Sequence, residues 1–299
     1  MFLPERGGAM KRALAAISLV LLASPFAFAQ LGSNYLDVFI VKVRPEKRSD
    51  FDAIGRKIAD ANRKAKGDIW LAMEVEYGED NTVQFTSQRQ NYAAIESGMT
   101  AFFSAIKEAY GPGGVPKMMQ DFNNTIVTAR SEIRRRRWDL TINAPKDADA
   151  YNKIIGQARW LRTTQIRVRP GHEATFEDRV KDVKAAYEKN GSSWVSFISQ
   201  VIAGAPGNTY YVSTLQPSLA AFDSAPTLPK LMGEEEFAKW QKASGEDIIM
   251  GESILMKILP ELSNPPEDVT RSAPEFWKPK TATAARPKAK PVETANASQ

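Results

Sequence analysis

Val168-Arg169-Pro170-Gly171-His172-Glu173-Ala174-Thr175-Phe176-Glu177 is the stretch that decides how this chain is read. An alternating segment, Leu161 to Arg169, stops at a proline, and a helical pattern follows within a few residues. The same phrase stands 125 residues earlier as Val43-Arg44-Pro45 followed by Phe51. The echo continues: Gly67-Asp68-Ile69-Trp70 matches Gly191-Ser192-Ser193-Trp194, Asn81-Thr82 matches Asn208-Thr209, and Tyr92 to Glu96 matches Leu219 to Asp223. An offset that stays between 124 and 127 through all these landmarks indicates an internal duplication. The period is too long for a solenoid unit, so each copy is expected to be a small domain.

Outside the copies, Lys11 and Arg12 precede an apolar run, Ala13 to Ala23, that leads to Ala27-Phe28-Ala29 before Gln30. A charged start, a short apolar core and a small-x-small site read as an export signal over residues 1–29, which makes the mature protein periplasmic or secreted. Membrane contact is expected from that signal only. Its removal lowers the formal net charge from +5 to +3, because Arg6, Lys11 and Arg12 leave together with Glu5. So small an excess gives no support to nucleic-acid binding. The chain has no cysteine, so an oxidising compartment brings no disulfides and stability must come from the core.

Each copy reads as strand, helix, strand, strand, helix, strand. In the first, Asp37 to Arg44 alternates, and Asp50 is placed to cap a helix reaching Lys64, with Phe51, Ile54, Ile58 and Ala61 on one face. Ile69 to Tyr77 and Thr82 to Gln88 form a hairpin across Gly78-Glu79-Asp80-Asn81, Tyr92 to Tyr110 is the second helix, and Ile126 to Trp138 holds the last strand. The second copy repeats this order, with its second helix broken at Pro226 and Pro229 and resumed from Glu234. The expected organisation is signal 1–29, first unit 30–138, linker 139–159, second unit 160–262, and a disordered Pro-, Ala- and Lys-rich tail 263–299.

The order βαββαβ is that of the ferredoxin-like unit, an α+β fold. The strand–Val-Arg-Pro–helix junction resembles the start of the dimeric α/β-barrel superfamily, which includes antibiotic-biosynthesis-type monooxygenases and stress-responsive barrel proteins. The resemblance implies that two such units pack sheet to sheet. A tandem copy would then build the barrel within one chain, giving a monomer that is an internal pseudo-dimer. Haem-binding members of the superfamily use a barrel histidine, and no strand here carries one at a matching position.

Strand alternation sorts side chains into faces. Phe39, Val41 and Val43 share one face of the first strand, Ile40, Lys42 and Arg44 the other; in the second copy Thr164, Ile166 and Val168 oppose Gln165, Arg167 and Arg169. The apolar rows are expected under the helices. The resemblance turns the mixed rows, with Trp70, Glu74 and Glu76 of the next strand, towards the barrel interior. Two uses of that interior stay open. One is a filled network pairing Arg44 and Arg169 with Glu74 and Glu76, since a buried charge needs a partner. The other is a ligand cavity formed by Arg44, Trp70, Glu74, Arg167, Arg169, Trp194 and Tyr211.

No constellation of catalytic residues is visible. His172 is the single histidine and sits at a turn, where a solvated role is expected; one histidine and no cysteine leave no ordinary zinc or copper ligand set, and no cofactor is implied. Arg134 to Arg137 is read as a solvated strand end. The expected function is a non-catalytic, small-molecule-binding or stress-related barrel protein. The alternative, implied by the resemblance, is a cofactor-independent monooxygenase that holds an aromatic or polyketide-like substrate against Trp70, Trp194 and Tyr211, with Glu74 as base.

Overall fold

The computed structural model describes residues 34–278. The expected signal lies outside the described residues. Strands β1 (Tyr35–Val43), β2 (Leu71–Tyr77), β3 (Thr82–Arg89) and β4 (Ile126–Arg136) alternate with helices α1 (Arg48–Ala65), α2 (Tyr92–Tyr110) and α3 (Gly114–Asn123). After α4 (Ala148–Gln157) the order returns as β5 (Trp160–Val168), α5 (Glu173–Lys189), β6 (Phe197–Ala203), β7 (Thr209–Gln216), α6 (Leu228–Met232), α7 (Glu234–Asp247) and β8 (Ile248–Ile258). Two short helices, α8 (Glu267–Arg271) and α9 (Pro274–Trp277), follow.

The strands close into one barrel in the order β1-β3-β2-β8-β5-β7-β6-β4, every neighbouring pair antiparallel. β1 lies between β3 and β4, and β5 holds the equivalent place between β7 and β8. Two seams join the halves, β2 to β8 and β4 to β6, so the chain closes the barrel on itself and leaves no sheet edge open.

The helices pack outside. Val41 and Val43 of β1 meet Phe51 and Ile58 of α1, and Val168 of β5 meets Phe176 of α5. Phe51 is fully buried, a contribution of about 1.5–3 kcal/mol for a side chain of that size. α1 begins at Arg48, two residues before the expected cap at Asp50, after a single 3₁₀ turn at Pro45–Lys47. It ends where Lys66 turns left-handed, and the buried Asn62 carbonyl and amide oxygens take the amide N–H groups of Gly67 and Asp68.

The segments outside the two copies are structural. α4, in the stretch expected as a linker, lays Tyr151 and Ile155 against Met73, Phe197 and Met256 inside the barrel. The expectation of a disordered tail from residue 263 is corrected as far as Trp277. Ser263 Oγ accepts from the amide of Ala72, Val269 is buried, and Trp277 is buried with its indole N–H on the carbonyl of Gly156 at 2.9 Å. A methyl group on Gly156 would lie 2.1 Å from the carbonyl oxygen of Val269, so only glycine lets α4 and α8 approach this closely. Residues 279–299 lie outside the described residues.

Candidate functional site

In β2 the row that faces inward is Leu71, Met73 and Val75, not Trp70, Glu74 and Glu76. Trp70 packs under α1 and α2, and Glu74 is held by the guanidinium of Arg48 on α1, with one bond at 2.9 Å. The carboxylates of this row suggested the interior, but α1 supplies their cation from outside. Trp194 likewise lies in the outer layer with Val183 and Tyr187. Arg44, Arg167 and Arg169 occupy strand ends and are exposed, Arg169 donating to the carbonyl of Glu246. Of the seven residues assigned to the barrel interior, only Tyr211 is in it.

The interior charges come instead from the arginine run, which is not a solvated strand end. Glu132 is 1% exposed and Arg134 4% exposed. Arg134 Nε donates to Glu132 Oε2 at 2.8 Å, Tyr211 OH donates to the same oxygen at 3.1 Å, and the Arg134 guanidinium stacks 3.5 Å over the Tyr211 ring. The network is of the expected kind, built from other residues. It leaves an inner void of about 60 Å³, too small for an aromatic ligand.

Arg137, three residues after Arg134, points to the outer face. It donates to Glu177 Oε2 and Asp139 Oδ2, each at 2.7 Å, and Tyr210 OH donates to Glu177 at 2.8 Å. The bonds from Arg137 hold both carboxyls below the usual range, while burial, reinforced by Glu177, pushes the Tyr210 hydroxyl up. Carboxyls depressed in the folded state contribute stability that is complete above their unfolded values, near pH 4, and that is lost as pH falls through the folded values. Urea midpoints measured from pH 6 down to pH 2 are therefore expected to fall below about pH 4. The fall should be shallower in Arg137→Met, and an unchanged slope would remove this pairing from the account.

The ligand-sized space lies outside the barrel wall, between the first-half sheet and its helices. This cavity measures about 400 Å³. Phe39 and Phe85 rise from the sheet, Ile58 and Trp70 form one side, and Phe102, Phe103, Met119 and Phe122 descend from α2 and α3. Trp70 meets Phe102 edge-on at 5.7 Å, with its indole N–H spent on the Leu262 carbonyl at 2.7 Å. Met99 and Phe103, 54% and 37% exposed, stand where the cavity opens to solvent.

One end of the cavity is charged. Arg89, at the end of β3, makes a two-pronged contact with Asp68 at 2.6 and 2.7 Å and reaches Asp37 of β1 at 3.3 Å. Desolvation opposes the charge on Arg89, but the bonds to Asp68 outweigh it and its pKa is raised. Arg89 Nε is buried without a partner. Gly98 makes this arrangement possible, since a methyl group there would sit 2.4 Å from Arg89 Nη1. The alternation of β1 placed Phe39 on this helix-facing row, and in the structure Asp37 shares it. Asp37, Asp68, Arg89 and the aromatic face of α2 were missed as site residues; the clue was polar Asp37, Ser87 and Arg89 at the ends of rows that are apolar elsewhere.

The second half has no hollow at Trp194; its own space, about 550 Å³, lies between α5, α6 and α7 and is edged by Arg179, Asp182, Lys189, Glu236 and Lys239 beside Trp240. Trp194 packs on Phe222 at 6.4 Å, and Leu228, Leu231, Met232 and Trp240 fill in from the broken helical region. His172, at the start of α5, bonds through Nδ1 to the buried Asp247 at 2.8 Å, away from the first-half cavity. A haem seated in that cavity would find no histidine there. Among the described residues, no cluster of His, Asp or Glu could hold a metal ion, and no helix is long and apolar enough to cross a membrane.

No protein-family model and no curated protein matches the chain. Solved structures do. A proposed monooxygenase from Fusobacterium nucleatum superposes with a TM-score of 0.50 at 9% identity, covering 76% of this chain and 93% of its own. The fold is shared. A proposed monooxygenase from Lactobacillus acidophilus (TM-score 0.46, 8% identity, 76% of this chain and 94% of its own) and a proposed chlorite dismutase (0.45, 13%, 80% and 97%) are also similar. At such identities the likeness concerns the α+β barrel and leaves the activity open.

Proposed function

We propose that the protein binds an apolar, aromatic small molecule in the cavity between the first-half sheet and α1 to α3. The observation that carries this reading is the 400 Å³ hollow, walled mainly by phenylalanines, a tryptophan and methionines, with its charged groups gathered at the Asp37–Asp68–Arg89 end. Its volume falls in the range of small-molecule sites, and a few convergent polar groups in an apolar wall orient a ligand. The charged end favours a ligand with a hydroxyl or carbonyl at its edge. The same proposal takes the two halves as tandem ferredoxin-like units, on the repeated element order and the matched junctions. It also takes the protein as an exported monomer that works in the periplasm or outside the cell, on the signal pattern and the self-closed barrel.

A second reading, a cofactor-independent oxygenase, is favoured by one observation. Asp37 lines the cavity, its side chain is 29% exposed, and its contact with Arg89 is the longest of that cluster. A carboxylate so placed can take a proton from an activated methylene. The resulting carbanion would supply the electrons to dioxygen, and the CH₂ would become C=O with release of one water. Asp37 replaces Glu74 as the base, because Glu74 is committed to Arg48.

Ser87 lines the cavity from β3 and is buried, so Ser87→Phe fills the hollow without removing core atoms. In calorimetric titrations with dihydroxynaphthalene and dihydroxyanthraquinone, the wild type is expected to bind, and Ser87→Phe to bind at least about tenfold more weakly, a difference of about 1.4 kcal/mol. Equal affinities would place the ligand elsewhere. Oxygen uptake in the same solutions, lost in Asp37→Asn, would select the oxygenase, and binding without uptake the simple binder.

A further inference from the structure

The barrel interior holds a charge that no described residue balances. Three ionised side chains project into its polar half: Glu132, Arg134 and Arg136. Glu132 is taken, bonded by Arg134 and Tyr211 and approached by Arg130 at 3.6 Å. Arg136 forms no ion pair among the described residues. Its neighbours are the Tyr151 hydroxyl at 3.3 Å and the rings of Phe197 and Trp138, 5.1 and 5.5 Å from the guanidinium carbon. A neutral hydroxyl and two ring faces leave most of its five donors open. Arg136 Nε is buried with no partner, and so is the indole N–H of Trp138, two residues on along the same face of the chain.

These orphaned groups are all donors, and they accompany a cation with no counter-charge among the described residues. Neutral water satisfies a donor, but it leaves the charge of this half-buried guanidinium without a counter-ion on its inner side. The void of about 60 Å³ adjoins Arg136 and Arg134, with the Ser199 and Thr86 hydroxyls on its polar side and Leu71, Met73, Phe197 and Met256 on the other. Gln84 Nε2 is spent on Thr86 Oγ1, and Ser213 pairs with Thr163. A water takes about 30 Å³ of liquid, so the space suits one monatomic or small planar anion and is tight for a tetrahedral one with its hydration.

We propose that this void is a binding site for a monovalent inorganic anion of the size of chloride or nitrate, held by Arg136 with the Ser199 and Thr86 hydroxyls. The anion closes the charge balance of the barrel and ties α4, through Tyr151, to the sheet. It is a site distinct from the aromatic cavity, on the opposite side of the barrel wall.

The test uses the full mature chain. Thermal unfolding is followed in sodium chloride, sodium bromide and sodium gluconate at equal ionic strength. Occupancy predicts melting temperatures that rise saturably with either halide, by on the order of 5 °C once the halide is about 100-fold above its Kd, and that stay flat in gluconate. Arg136→Met should abolish the difference between halide and gluconate. If that variant does not fold, crystals of the wild type grown with bromide decide the matter, with an anomalous peak expected against the Arg136 guanidinium. Coincident curves in the three salts, or a void holding water alone in the bromide crystal, would overturn the proposal.

Discussion

Glu132→Ala is expected to lower folding stability by about 3–5 kcal/mol, because the remaining arginine would be left buried without its carboxylate. Glu132 accepts from Arg134 and Tyr211 at the centre of the barrel, and its side chain has no exposed surface. Arg134 is itself 4% exposed, with its guanidinium stacked on the Tyr211 ring. The pair need not be net stabilising, because burying two ions costs nearly as much as their attraction returns. Glu132→Leu combined with Arg134→Met should therefore recover much of the loss, and denaturant unfolding of the single and double variants measures it. A loss under about 1 kcal/mol for Glu132→Ala would mean that water reaches this network freely.

Trp277→Ala should cost about 3–5 kcal/mol, the usual range for deleting a buried tryptophan side chain. Trp277 is 6% exposed, and it belongs to the cluster that joins α4, α8 and the inner ends of β2, β5, β6 and β8. Its indole N–H donates to the Gly156 carbonyl, so truncation also removes a donor to that acceptor at the end of α4. Conservative replacement by phenylalanine should restore most of the packing and none of that hydrogen bond. Melting curves of the two variants separate these contributions, and a Trp277→Ala protein as stable as wild type would show that this segment does not hold α4 in place.

The large pattern of the fold was legible because it was written twice. Alternation in β1 and β5, ending each time at Val-Arg-Pro, gave the strands and their helix-facing rows. The interior was not legible, because face assignment in β2 rested on polarity. Glu74 is polar, yet it faces outward to meet Arg48, and Met73 and Val75 face inward to meet Tyr151 and Ile155 of α4. No local rule predicts that a connecting helix will cover one end of a barrel. The arginine run failed for a related reason: four consecutive cations suggest solvent, but successive residues of a strand point to opposite sides. Arg134 therefore found Glu132 inside, and Arg137 found Glu177 outside. Proline and lysine content obscured the C-terminal segment, where two aromatics, Phe276 and Trp277, outweigh the composition around them. The aromatic cavity depends on how far α2 stands from β3, and spacing of that kind is set by packing from both sides.

The most direct test of the account is a crystal structure of the mature protein soaked with dihydroxynaphthalene. The account predicts ring density between Trp70, Phe85 and Phe102, with a hydroxyl directed to the Asp37–Arg89 end. Density inside the barrel beside Tyr211, or none between the first-half sheet and α2, would contradict it.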